Sequence, residues 1–179
     1  MSVAGKTLKI VIIVLVVLFI GIQFIRPSLT NPQIDSTKTI EANVTVSPEV
    51  AQILETSCND CHSNAVKYPW YSNVAPVSWL VAHDVNEART HLNFSEWGNY
   101  APQKQEGKLD ETCEVVESGE MPDFKYLLIH WNAKLSDAQK KTICDWTKAA
   151  GVEIAKKAGA NVPTEGQTSD HDAHETDED

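Results

Sequence analysis

The sequence predicts an all-α domain behind an N-terminal transmembrane helix. Three observations predict it. One apolar run near the N-terminus is long enough to span a bilayer. Downstream segments carry helix start and stop signals around apolar residues at helical spacing. No segment alternates apolar and polar residues convincingly with period two, as a half-buried strand would. The 179 residues suffice for one domain plus accessory segments.

Residues 10–25 read IVIIVLVVLFIGIQFI, with Gln23 the only polar side chain. With Leu8 and a snorkelling Lys9, at about 1.5 Å per residue, the run approaches a hydrocarbon core of roughly 30 Å. A buried core helix would show a polar face, and this run has none. Residues 1–25 are therefore read as a membrane anchor, with the transmembrane stretch at about residues 8–25. The competing reading is a cleaved signal peptide. Its apolar region is usually shorter and ends at a small-residue cleavage site, whereas the exit here is IRPSLTNPQ. Lys6 and Lys9 precede the run and Arg26 follows it, which favours a cytoplasmic N-terminus and an exported C-terminal domain.

Residues 26–46 read as a flexible linker, with Pro27, Pro32 and many Ser, Thr and Asn. The domain is expected over residues 47–152. Ser47-Pro48-Glu49 supplies an N-cap, a first-turn proline and an acid at the positive helix end. Val50, Ile53 and Leu54 follow on one face, and this helix should fade at Cys58–His62. A second helix is expected from near Pro76 through Leu92. A third should cover about Glu106 to Glu117 and stop at Ser118-Gly119. The last opens on the capping-box pattern Ser136-Asp137-Ala138-Gln139, with Gly151 as its expected C-cap. Residues 153–179 are polar and expected to be a disordered acidic tail. Seven acids and no Lys or Arg fall between Thr164 and Asp179, so the net charge of −10 becomes about −3 without them. Nothing in this charge distribution favours nucleic acid as a partner.

Four cysteines are present. Two lie in Cys58-Asn59-Asp60-Cys61-His62, the c-type haem attachment pattern. Two thiols three positions apart on a helical turn can reach the two vinyl groups of one haem, and the adjacent imidazole can then ligate the iron. The alternatives are a redox dithiol, half of a zinc site, or a disulfide. Zinc would want two more ligands at short spacing, and a thioredoxin-like dithiol would sit in a βαβ setting. Export agrees with haem, because bacteria complete c-type attachment outside the cytoplasm. The reading is thus one covalently attached haem c, with Cys58 and Cys61 as thioether positions and His62 as proximal ligand. It places the domain in the periplasm, on a single-pass anchor in the bacterial inner membrane.

A low-spin carrier needs a second axial ligand, usually Met or His. Met1 and Met121 are the only methionines, so a Met ligand would be Met121, 59 positions beyond His62. It sits in Ser118-Gly119-Glu120-Met121-Pro122, where Gly119 permits a tight turn and Pro122 stiffens the loop. Core filling is the plain alternative for this methionine. His83, His91 and His130 are the rival ligands. His171 and His174 lie in the tail. Cys113 and Cys144 would pair in an oxidising compartment, tying the third helix to the last; the alternative is two separate buried thiols. The aromatic stretch from Tyr68 to Trp79 suits a planar cofactor or any core, and Arg89 is a candidate partner for a haem propionate.

The strings PWYSN, APVSWLV, LNFSEW, GEMP and KLSDAQK, in that order after CHSN, resemble the bacterial haem-binding domain family of single-haem c-type cytochromes. The resemblance covers about residues 47–150. It implies a cytochrome c-like helical haem domain, thioether links at Cys58 and Cys61, and axial ligands at His62 and Met121. The chain departs from the family at Ala88, where Gly is usual, and at Trp131, where Pro is usual. The expected function is electron transfer between redox protein partners at the lipid bilayer, without enzymatic activity. The alternative is a haem enzyme or a gas or redox sensor with a vacant or displaceable distal site.

Overall fold

A computed structural model describes residues 3–159. They form eight α-helices: α1 (Val3–Ile22), α2 (Ile40–Asn43), α3 (Pro48–Ser57), α4 (Asn59–His62), α5 (Val77–His91), α6 (Pro102–Ser118), α7 (Phe124–Leu127) and α8 (Asp137–Lys157). Short 3₁₀ turns lie at Trp70–Asn73, Phe94–Asn99 and Trp131–Ala133. No strand occurs among the described residues. The fold is all-α, as the patterning predicts.

From Ile10 to Ile22 α1 is apolar on every side, and none of its candidate span is buried against the rest of the chain. Length and composition make it a candidate membrane span.

The domain core is built where helix faces meet. Ser47 caps α3 by accepting from the Val50 N–H, and Val50, Ile53 and Leu54 face inward. Ser136 and Gln139 cap α8 reciprocally. α6 packs along α8, so Leu109 and Val116 join Ile143, Trp146 and Ala150 in one apolar cluster with α3. Cys113 and Cys144 are joined by a disulfide between α6 and α8. Gly119 ends α6 in the left-handed region at φ 80°, which a side chain rarely adopts.

Three differences from the sequence reading have physical causes. Residues 26–46 do not behave as a free linker. Ile40 is fully buried and Val44 nearly so, both in the main core. Trp146 Nε1 donates to the Thr45 carbonyl at 3.0 Å, and Gly98 N–H donates to the Lys38 carbonyl at 2.8 Å. Two isolated apolar side chains are enough to dock a segment that shows no helical period. α8 does not stop at Gly151: it runs to Lys157 because Ile154 is still buried. The described part of the expected tail, residues 153–159, thus begins as helix, and its remainder lies outside the described residues. α6 starts at Pro102, one turn earlier than expected, because that first turn is polar and gives no apolar signal.

Candidate haem site

The motif occupies a break between two helices. α3 ends at Ser57, Cys58 takes a non-helical conformation at φ −127°, and the turn resumes as α4 through His62. The Cys61 and His62 N–H groups both donate to the Cys58 carbonyl. Cys58, Cys61 and His62 are therefore held on one tight turn, each partly buried.

His62 is oriented by a backbone acceptor. Its Nδ1 lies 3.0 Å from the Leu92 carbonyl oxygen, at the C-cap of α5. A carbonyl only accepts, so Nδ1 carries the proton and Nε2 keeps its lone pair. Burial pushes the His62 pKa down, with the Leu92 and Ala88 carbonyls opposing, so the imidazole is held neutral. The acceptor is itself fixed. Asn93 Nδ2 donates to Asn64 Oδ1 at 2.8 Å, the Asn64 N–H donates to Ser95 Oγ at 3.0 Å, and Tyr100 Oη accepts from the Asn93 N–H at 3.0 Å. This buried set locks the residues after His62 to those after Leu92.

The two thiols are free of one another. Burial pushes the Cys58 thiol up to about 12, with Cys61 adding to it. Burial also raises Cys61 to about 11, helped by the carboxylates of Asp60, Asp84 and Asp123 and opposed by Arg89. Both are neutral thiols at pH 7. A redox dithiol needs a depressed thiol pKa, which this turn does not provide.

The segment after Met121 docks on the same turn. Tyr126 Oη donates to Asp60 Oδ2 at 2.9 Å, inside the motif. Tyr126 stacks on His130 at 4.1 Å between ring centroids, and His130 Nε2 lies 3.0 Å from Tyr71 Oη. Asp123, two residues from Met121, is close enough to act on the Cys61 thiol. Met121 itself is 38% exposed, and its N–H donates to the Val115 carbonyl, pinning the loop after α6. Phe124, Leu128, Ile129 and Trp131 on this segment are also exposed, an apolar set that a folded surface rarely shows without something to cover it.

A family model described as a haem-binding domain matches residues 17–149. The chain belongs to the haem-binding domain family. No curated protein and no solved structure matches it significantly. This haem-binding domain offers a fitting donor set: a neutral imidazole oriented through its Nδ1 by the Leu92 carbonyl, two neutral thiols on the same turn, and a thioether on the segment docked beside it. Haem is thus the cofactor the family and the residues agree on.

Of the other sequence candidates, His130 lies beside the site and the rest fall elsewhere. His130 has both ring nitrogens engaged, Nε2 with Tyr71 Oη and Nδ1 at 3.2 Å from the Tyr126 carbonyl. His83 is exposed and faces Asp84 and Glu87. His91 is exposed at the end of α5. His171 and His174 lie outside the described residues. Arg89 is not a free charge: it donates to the carbonyls of Ser63 and Thr30 and to Asn31 Oδ1. The Leu92 acceptor, the Asn64–Asn93–Ser95 lock and the Asp60–Tyr126 bond were not found from sequence. The string LNFSEW holds Leu92, Asn93 and Ser95, and CHSN holds Asn64, but a backbone acceptor leaves no compositional trace and a pairing between distant polar side chains leaves no spacing signal.

Proposed function

We propose that the chain is a membrane-anchored, exported cytochrome that carries electrons on one covalently bound haem. Cys58 and Cys61 hold the haem by thioether bonds, His62 Nε2 is the proximal ligand and Met121 the distal one. The observation that carries the reading is the hydrogen bond from His62 of the CxxCH turn to the Leu92 carbonyl at the end of α5. It orients the ring and fixes the tautomer with the proton on Nδ1, the arrangement that ligating histidines need. When bound, haem supplies a one-electron ferric–ferrous couple.

The chain's own residues do the rest. The Cys58 and Cys61 thiols, neutral and set on one turn, end as uncharged thioethers in a partly buried place. The buried Asn64, Asn93 and Ser95 keep the imidazole from rotating. The Tyr126–Asp60 bond holds the methionine-bearing segment against the motif. Engagement of both His130 nitrogens and the outward position of His83 leave Met121 as the favoured distal group. Two filled axial positions exclude substrate, which favours a carrier over an enzyme. The apolar α1 supports an anchor with the domain on the periplasmic side, where c-type attachment is completed.

The test is an absorption spectrum of the protein matured with haem. Sharp reduced bands and the weak far-red ferric band of sulfur–iron ligation are expected. High-spin features with rapid binding of small ligands would overturn the carrier reading.

A further inference from the structure

The exit of α1 is clamped to the domain. Gln23, one residue past α1, uses both ends of its amide on the backbone of one residue, Ala75. Its Nε2 donates to the Ala75 carbonyl at 3.1 Å, and its Oε1 accepts from the Ala75 N–H at 2.9 Å. Trp79 Nε1 donates to the Ile25 carbonyl at 2.7 Å. Farther along, Arg89 holds Thr30 and Asn31, and Asn31 Nδ2 donates to the Val66 carbonyl at 2.8 Å.

These distances fix a depth. A chain advances at most about 3.6 Å per residue, so Gln23 and Ile25 lie within roughly 11 Å of the end of the apolar helix. Headgroup layers account for roughly 5–8 Å on each side of a bilayer. Ala75 and Trp79, hydrogen-bonded to those residues, are therefore at or just above headgroup depth. The joint itself is mixed, with Arg26, Ser72, Asn73 and Ser78 beside Ile25 and Ala75, but the neighbouring stretches of chain expose large apolar side chains. Trp70 is 79% exposed, and Val77, Leu80, Phe24 and Ile25 are exposed as well. From Tyr68 to Ala82 the chain carries no charged residue, in a protein of net charge −10. This strip carries no carboxylate to be repelled by anionic lipid, and the Arg26 beside it is attracted to such lipid. Tryptophan at such a depth sits with its ring among acyl chains and its N–H toward polar groups.

We propose that the face carrying Trp70, Val77 and Leu80, with Phe24 and Ile25, rests on the lipid headgroup layer of the bilayer that α1 spans. The domain is then held in one orientation and does not swing on a tether. The proposal rests on α1 being an uncleaved anchor, as set out above.

The test uses the full haem-loaded chain in vesicles of phosphatidylethanolamine and phosphatidylglycerol. Photoreactive benzoylphenylalanine is placed at position 70, 80 or 148, the last exposed on α8, and lipid adducts are counted by mass spectrometry. Adducts at 70 and 80, and few at 148, are expected. In Gln23→Ala the docked-to-free ratio should fall roughly tenfold, since two hydrogen bonds are lost. Equal yields at all three positions, or no change in Gln23→Ala, overturn the proposal. Carbonate extraction separates the two readings. A chain that stays in the membrane yet gives no adduct at 70 or 80 refutes docking alone, whereas a chain released by carbonate refutes the anchor.

Discussion

Replacing both Cys113 and Cys144 with Ala should cost a large part of the domain's stability. The bridge closes a loop of 31 residues between α6 and α8. The loop-entropy relation gives about 3.5 kcal/mol for a closure of that length. For a domain of this size about 4 °C is lost per kcal/mol, so the midpoint should fall by roughly 12–15 °C. Alanine is the right replacement because Cys144 is buried, and serine would add an unpaired hydroxyl. The assay is thermal unfolding of the ferrous, haem-loaded protein, followed by circular dichroism and by haem absorbance. A reductant supplies an internal check. It opens a disulfide but not a thioether, so reduced wild type should melt with the double variant. A fall below about 3 °C, or a reduced wild type that melts well above the variant, would refute the entropic argument.

Three further outcomes are expected. Met121→Ala should lose the far-red ferric band and gain binding of exogenous imidazole; an unchanged spectrum would show that another group is the distal ligand. In the haem-free chain, Cys58 and Cys61, pushed up to about 12 and about 11 from 9.0, should alkylate at pH 8 about ten- to fiftyfold more slowly than in the urea-unfolded chain, the lower thiolate fraction being partly offset by the greater nucleophilicity of a more basic thiolate. A faster rate than in the unfolded chain, read by mass spectrometry, would instead mark a redox dithiol. Ile40→Ala should destabilise the domain by about 2–5 kcal/mol in denaturant unfolding, since the side chain is fully buried; a free linker would give nearly no change.

The helix starts were legible because caps act locally. Ser47 and Ser136 announce α3 and α8 through side-chain oxygens that accept from nearby N–H groups. Gly119 announces the end of α6 through its backbone freedom. Gly151 misled for the complementary reason: a glycine costs an interior helix only about 1 kcal/mol, and burial of Ile154 on the next turn outweighs that. The docking of residues 26–46 was not legible, because Ile40 and Val44 are too few to set a period. At the site, CxxCH reads from sequence since its chemistry needs fixed spacing. The groups that orient it do not. Leu92 acts through its carbonyl, which any residue would offer, and Asp60 meets Tyr126 across a sequence separation of 66. Gln23 stood out as the lone polar side chain in an apolar run, yet its partner Ala75 is a backbone unit.

The central claim is a haem bonded to the Cys58–Cys61 pair. The most direct measurement is the intact mass of the chain purified from bacterial membranes that can mature c-type haem. A mass raised by one haem, unchanged after acid–acetone extraction and lost in Cys58→Ala/Cys61→Ala, is the expected result. A polypeptide that carries only the mass of its amino acids in such a host would contradict it.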